Sequence, residues 1–277
     1  YPRLILKYLR APKHDAVIIG YPGQLDALVL WPFARLRRAP IVLDAFLSLY
    51  DTLVEDRRML GAAHPLARLL YAVEWLSCRA ADRVILDTKA HASYFETTFH
   101  LRPEKLAAVL VGVEPEAFPP RRASAPTPSP ERRRRVLFYG QFIPLHGIDT
   151  IIRAAQSAPE LPAEWILIGQ GQEAAKIRKM LDAHPVENLT WIPWVGYAEL
   201  AGWIHRADIC LGIFVTSDKA ARVIPNKVFQ VLATGTALIT RDSPAIRELL
   251  DPRVAGVALI PPGDPAALLA AVRRFIG

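Results

Sequence analysis

A chain of 277 residues, 52% hydrophobic and 22% charged, can bury a sizeable core and has room for about two domains. Its formal charge of +7 is concentrated. Arg121, Arg122 and Arg132 to Arg135, against the single Glu131, carry five of the seven charges, with no interleaved aromatics or zinc spacing, which argues against nucleic acid as a partner. Cys78 and Cys210 lie far apart inside apolar runs, so no disulfide framework or metal spacing is visible and a reducing cytoplasm is the expected compartment. No apolar run approaches the roughly 20 residues that span a bilayer, and no signal peptide is visible. The chain opens on Tyr1 rather than Met, in what reads as mid-domain helix, so a fragment of a longer protein is expected.

Residues 4–9 read as the end of a helix and 16–20 as a short buried strand, stopped by the YPG turn at 21–23. A helix over 24–37 leads to a strand over 40–44, with Asp44 at its C-terminal end. Leu66, Leu69, Leu70, Val73 and Leu76 fall at helical spacing within 57–81, and Pro65 must break or restart that helix. Strand 83–87, helix 89–99 and strand 106–110 follow, with Glu74, Lys89 and His91 expected on helix surfaces. Short apolar strands alternating with helices predict a parallel sheet covered on both faces.

The segment VGVEPEAF at 111–118 closes this half. A Pro/Ser/Ala-rich run at 123–130, flanked by the arginines, is a linker by composition. The expected division is therefore a domain over 1–118, a Pro/Arg-rich linker over 119–134 and a domain over 135–277. The linker arginines suit solvent, or an anionic membrane surface at about 1 kcal/mol per charge.

The rhythm then resumes, with strand 136–139, a loop from Gly140 to Gly147, and a helix to about 155. Strand 165–168 leads through GQG at 169–171 to a helix ending near 181. Strand 189–192, helix 198–205 and strand 209–213 precede the most informative stretch, 224–240. There Pro225 fits the first turn of a helix, Val228, Val231 and Leu232 form its apolar stripe, Gly235 stops it, and 237–240 is a strand. Asn226 and Lys227 stand at the mouth of this helix, where free N–H groups and the positive end of the macrodipole suit an anion. A last helix runs over 266–275.

The stretch PNKVFQVLATG at 225–235 resembles the donor-site helix of the family 4 retaining glycosyltransferases, in its P-x-K-x-F-E form. The segment VGVEPEAF resembles the N-G-V-D-x-x-x-F signature that ends that family's first domain, with Val111 in place of Asn. The resemblance implies an α/β fold of the GT-B kind, two Rossmann-like domains with mainly parallel sheets facing across a cleft. It implies an acceptor-side domain over 1–118, incomplete at its start, and a nucleotide-sugar-binding domain over 135–277. The implied reaction moves a sugar from a nucleotide diphosphate-sugar to a hydroxyl of a glycan or lipid-linked glycan, with retention. No metal and no cofactor beyond the donor substrate are implied. A cytoplasmic protein, peripheral at the inner membrane face, fits such a reaction.

By the same resemblance Gly140, Gln141 and His146 occupy the G-R-x-x-x-x-K-G loop that holds the diphosphate, with Gln141 and His146 replacing its two cations. Gly169 and Gly171 occupy the G-x-G next to the nucleotide, and Trp194 can cover the base or belong to the core. Asn226 and Lys227 fall at the diphosphate and Gln230 at the ribose, where the family has Glu. Eight residues upstream, Arg222 stands where the family has a second Glu and can restore the missing positive charge. In the first half Asp44 is the candidate to activate the acceptor or stabilise developing charge, or else it caps the following turn. The departures at Arg222 and Gln230 favour one alternative, a non-catalytic nucleotide-sugar or glycan binder, and a nucleotide-sugar epimerase on the same fold is another.

Overall fold

The structure, a computed structural model, describes residues 1–56, 59–121 and 132–277. The chain divides into two compact units, Tyr1–Leu110 and Val111–Gly277.

In the first unit four parallel strands, β1 (Val17–Ile19), β2 (Ile41–Phe46), β3 (Arg83–Leu86) and β4 (Leu106–Ala108), pair in the order β1-β2-β3-β4. Helices α1 (Pro2–Arg10), α2 (Gln24–Leu36), α3 (Pro65–Ala80) and α4 (Lys89–Phe99) complete it. Ile41, Leu43, Val84, Leu86, Phe95 and Phe99 form the centre of its core. Thr88 caps α4 by accepting the N–H of His91, and His64 caps α3 by accepting that of Leu66, so the helix expected within 57–81 begins only at Pro65. A π-helical turn, Asp51–Asp56, precedes it, and residues 57 and 58 lie outside the described residues.

Two expectations for this unit need correction. The strand at 16–20 is not buried: β1 is the sheet edge, and Ile18 is 76% exposed. The leucine stripe of α3 is not the packed face either. Leu66, Leu69 and Leu76 are exposed, while Ala67, Glu74, Ser77 and Cys78 are buried. α2 buries Gln24, Ala27, Leu30 and Ala34, and it packs against α3, so small side chains let the two helices approach closely. The leucines are too large for that contact and lie on the other side.

The second unit is a six-stranded parallel sheet in the order β10-β9-β8-β5-β6-β7. Its strands are β5 (Arg134–Tyr139), β6 (Ala163–Ile168), β7 (Leu189–Ile192), β8 (Ile209–Leu211), β9 (Ala237–Arg241) and β10 (Val257–Ile260). The helices are α5 (Ile148–Gln156), α6 (Ala174–Ala183), α7 (Tyr197–Arg206), α8 (Asp218–Arg222), α9 (Asn226–Thr234), α10 (Ile246–Leu249) and α11 (Pro265–Ile276). Phe138, Ile151, Trp165, Leu211 and Leu268 are among the fully buried core residues. The sequence reading did not assign α8, α10 or β10. All three are of five residues or fewer, too short for periodicity to distinguish.

The segment 111–118, read from sequence with the first half, packs on the second unit. Phe118 is 1% exposed with its ring 5.5 Å from that of Tyr197, whose hydroxyl donates to Glu114 at 2.8 Å. Arg121 donates its backbone N–H to Thr234 and its guanidinium to the carbonyl of Ala207. Arg134, the last residue of the expected linker, already opens β5. Arg132 donates both its bonds to Asp208 at 2.8 Å, and Arg135 donates to Glu164 at 3.0 Å. Arg122 and the expected linker run 123–130 lie outside the described residues. Among the described residues no helix is long and apolar enough to cross a membrane.

Candidate anion and nucleotide site

In a parallel sheet the loops that leave the C-terminal strand ends carry the chemistry, and in the second unit these loops meet the start of α9. Pro225 is the cap of α9, with φ −69° and ψ 144°, and not its first helical residue as the sequence suggested. The start of a helix leaves its first N–H groups without partners one turn back, and here Val228 donates to the Pro225 carbonyl at 2.9 Å while those of Asn226 and Lys227 precede any such bond. Lys227, in that first turn, is only 5% exposed. Its ammonium lies 3.8 Å from the centre of the Phe138 ring, and Nζ makes no hydrogen bond. Burial drives its pKa well below the usual lysine range.

Gly140 leaves β5 directly above this ammonium. A Cβ at residue 140 would sit 3.1 Å from Lys227 Nζ and 3.2 Å from His146 Cε1, so glycine is what lets both groups crowd the strand end. His146 is buried and donates from Nδ1 to the carbonyl of Gln141 at 2.5 Å. Burial, and then the nearby Lys227, push its pKa down to about 3, so it is a neutral imidazole at neutral pH. The Gln141 side chain is exposed; its backbone is what holds His146.

Gly169 and Gly171 follow β6 and press on the same loop. A Cβ at Gly169 would fall 1.9 Å from the carbonyl oxygen of Gly140, and one at Gly171 2.7 Å from that of Phe142. Both glycines have positive φ, 147° and 153°. Phe142 stacks on Trp191 with ring centres 5.1 Å apart, and Trp191 donates from Nε1 to the carbonyl of Gly169 at 2.8 Å. The structure thus brings Gly140, Gln141, His146, Gly169, Gly171 and Lys227 together.

On the other side of the α9 terminus lies a cavity of ≈ 290 Å³ lined by Glu114, Tyr197, Asn226 and Gln230 among others. The hydroxyl of Tyr139 donates to Gln230 Oε1 at 2.9 Å. Arg222 ends α8 and is half-buried. Trp194 is 74% exposed, which removes the core alternative for it. Arg241, at the end of β9, was missed by the sequence reading. It donates to the carbonyls of Val215 and Ser217 and fixes the loop that leads into α8.

In the first unit Asp44 is half-buried inside β2, which runs on to Phe46, and the ladder with β3 slips between Asp44 and Phe46. Glu74 and His91, expected on helix surfaces, are 2% and 1% exposed. Glu74 accepts from Ser48 Oγ at 2.6 Å and from the N–H groups of Leu49 and Tyr50 at 2.6 and 3.1 Å. Burial raises its pKa despite these donors. His91 Nδ1 lies 2.7 Å from Asp87. Among the described residues no group of His, Cys, Asp and Glu side chains is placed to hold a metal ion.

Two curated relatives match. WcaI of Escherichia coli (strain K12), named as a colanic acid biosynthesis glycosyl transferase, is 26% identical over 149 residues, covering 53% of this chain and 36% of WcaI. The chitobiosyldiphosphodolichol beta-mannosyltransferase of Eremothecium gossypii is 25% identical over 276 residues, covering 88% of this chain and 56% of that protein. The chain thus spans between about a third and just over half the length of these relatives. In fold it is similar to Anabaena HepE, solved in complex with UDP, with a TM-score of 0.75 at 15% identity over 99% of this chain and 72% of HepE. It is also similar to sucrose-phosphate synthase from Thermosynechococcus elongatus, with a TM-score of 0.73 at 18% identity over 98% of this chain and 67% of that one. The fold class is therefore the expected one, α/β with two parallel sheets, shared with GT-B glycosyltransferases. A family model described as "Glycosyl transferases group 1" matches residues 133–277, the part that carries α9 and both glycine loops, and the chain belongs to that family.

Proposed function

We propose that this chain provides the donor site of a glycosyltransferase that moves a sugar from a nucleotide diphosphate-sugar to a hydroxyl of a glycan or lipid-linked glycan. The observation that carries the reading is Lys227: a buried ammonium without a hydrogen-bond partner, at the N-terminus of α9 and the C-terminal end of β5. A diphosphate supplies what that group lacks, and α9 adds its first-turn N–H groups and dipole. The leaving diphosphate would be stabilised there as the glycosidic bond breaks. The family match, the names of the curated relatives and the UDP bound in HepE support the choice of ligand.

In this reading the second unit binds the donor and the first serves the acceptor. Retention, a hexosyl group as the transferred sugar and independence of metal are parts of the proposal. Asp44 and Arg222 are its proposed catalytic groups, the first toward the acceptor and the second as a further cation for the diphosphate. An anionic membrane surface at the cytoplasmic face remains the proposed docking partner. Fewer charges serve it than the sequence suggested, because Arg132 and Arg135 are paired within the second unit. Arg133 is exposed.

A second reading, a binder without turnover, is favoured by one observation: Gln230 and Arg222 leave α8 and α9 without the two carboxylates of the resembled motif. Incubation with nucleotide-sugars, with and without glycan acceptors, decides between them. Release of nucleoside diphosphate supports the transferase. Thermal stabilisation by the donors with no release in any combination supports the binder, and neither effect removes both.

A further inference from the structure

The cavity beside α9 carries a polar set that the resembled motif does not account for. We infer that Glu114 is the carboxylate that holds the ribose diol of the nucleotide, from the segment 111–118 instead of from α9. The inference rests on the donor-site reading above and assigns the sugar-hydroxyl end of that site.

Two vicinal hydroxyls bring two hydrogens to donate, and a carboxylate offers two oxygens to receive them. Gln230 is the weaker candidate: it is uncharged, and its single oxygen already accepts the Tyr139 hydroxyl at 2.9 Å, which leaves one lone pair for a sugar hydroxyl, whereas a carboxylate that accepts one bond keeps about three. Asn226, exposed at the rim, carries another neutral amide. Glu114 is the one carboxylate in the lining. Tyr197, the first residue of α7, donates to its Oε2 at 2.8 Å and fixes the carboxylate at the cavity wall. Phe118 under the Tyr197 ring keeps that tyrosine in place. The lining thus pairs one anchored acceptor with amide donors, and a cavity of ≈ 290 Å³ has room for a pentose. Its neighbour on α9, Lys227, is the group assigned to the phosphates, so both ends of a nucleoside diphosphate meet one helix terminus.

The test compares ribose with deoxyribose. UDP, GDP, ADP and their 2′-deoxy counterparts are titrated calorimetrically into the full chain, with pyrophosphate as a probe of the anion end alone. The parent should prefer at least one ribonucleotide over its deoxy form by about ten- to a hundred-fold, the range of a charge-assisted hydrogen bond. Glu114→Gln keeps an acceptor for Tyr197. It should abolish the preference and leave pyrophosphate affinity unchanged within about two-fold, well under the ten-fold that 1.4 kcal/mol represents. The double variant E114Q/Q230E, which moves the carboxylate across the cavity, should regain the preference. A ribose preference that survives Glu114→Gln overturns the inference and leaves the donor site standing. Loss without rescue overturns it too, since Glu114 would then act through the packing of 111–118. If neither pyrophosphate nor any nucleotide binds, the donor-site reading falls and takes the inference with it.

Discussion

Glu74 of α3 accepts the backbone N–H of Leu49 at 2.6 Å, so a buried carboxylate holds the loop that follows β2. The same carboxylate takes Ser48 Oγ and the N–H of Tyr50. Removing it strands these three donors and the Gln24 amide, which reaches it at 3.5 Å, at about 1–3 kcal/mol for each one that stays unsatisfied. Glu74→Ala should therefore destabilise the first unit by several kcal/mol. Glu74→Gln, which turns one acceptor into a donor facing an N–H, should cost about 1–3 kcal/mol. Denaturant unfolding measures both, and hydrogen exchange of the Leu49 and Tyr50 amides should speed up in step. Unchanged exchange in Glu74→Ala would show that the loop holds itself.

Lys227→Ala removes a charge that is unfavourable in the empty protein and needed in the complex. Stability without ligand should change little or rise, because a desolvated ammonium is lost. Affinity for a nucleoside diphosphate should fall about ten- to a hundred-fold while that for the bare nucleoside holds. Equal diphosphate affinity in parent and variant would remove α9 from the site. Arg222→Glu should weaken diphosphate binding if Arg222 supplies charge; tighter binding or new transfer would show that it blocks the site instead.

His146 should make the second unit acid-sensitive. Its pKa is about 3 in the folded chain against an ordinary value of 6.5, so between these limits the unfolded state binds the extra proton. Stability from this group is complete above about 6.5 and is lost as pH falls toward 3, by up to about 1.4 kcal/mol per pH unit. His146→Gln should flatten that part of the profile. Parallel profiles for parent and variant, measured by denaturant unfolding from pH 7 to pH 4, would contradict the assignment.

Gly169→Ala would place a methyl group 1.9 Å from the Gly140 carbonyl oxygen at a φ of 147°. Overpacking and backbone strain each cost about 1–3 kcal/mol, and the Gly140 loop must move to relieve them. Both stability and diphosphate affinity should fall. A loss of affinity without any loss of stability would mean that the methyl meets the ligand and not the loop.

The regular elements were legible because their signals are local. The helix 89–99 matches α4 and the strand 189–192 matches β7 residue for residue. What failed depends on partners distant in sequence. Nothing near Ile18 says that β1, among the described residues, pairs with β2 alone. On α3 the leucines announce a packed face, yet the close approach of α2 selects the alanines, Ser77 and Cys78. Of the candidate site, Gly140, His146 and Lys227 were legible as a pattern. That Lys227 is buried, and that Gly169 is needed by the Gly140 loop, required the packing of three strand ends.

The segment 111–121 has a further consequence, for the time at which the second unit can become whole during synthesis. Arg121 bonds to residues 83 to 115 positions further along, from Ile204 to Thr236. At about 5–20 residues per second of translation, those partners are made about 4–23 s after Arg121 itself. Phe118 must wait in the same way for Tyr197. Through most of that interval Phe118 has no seat, although β5 and β6, both made before Ile204, can already pair. The unit can close on its own beginning only once α9 is made, so a ribosome paused between Tyr197 and α9 holds a chain in which Tyr197 is available to Phe118 and Arg121 is still unanchored to α9.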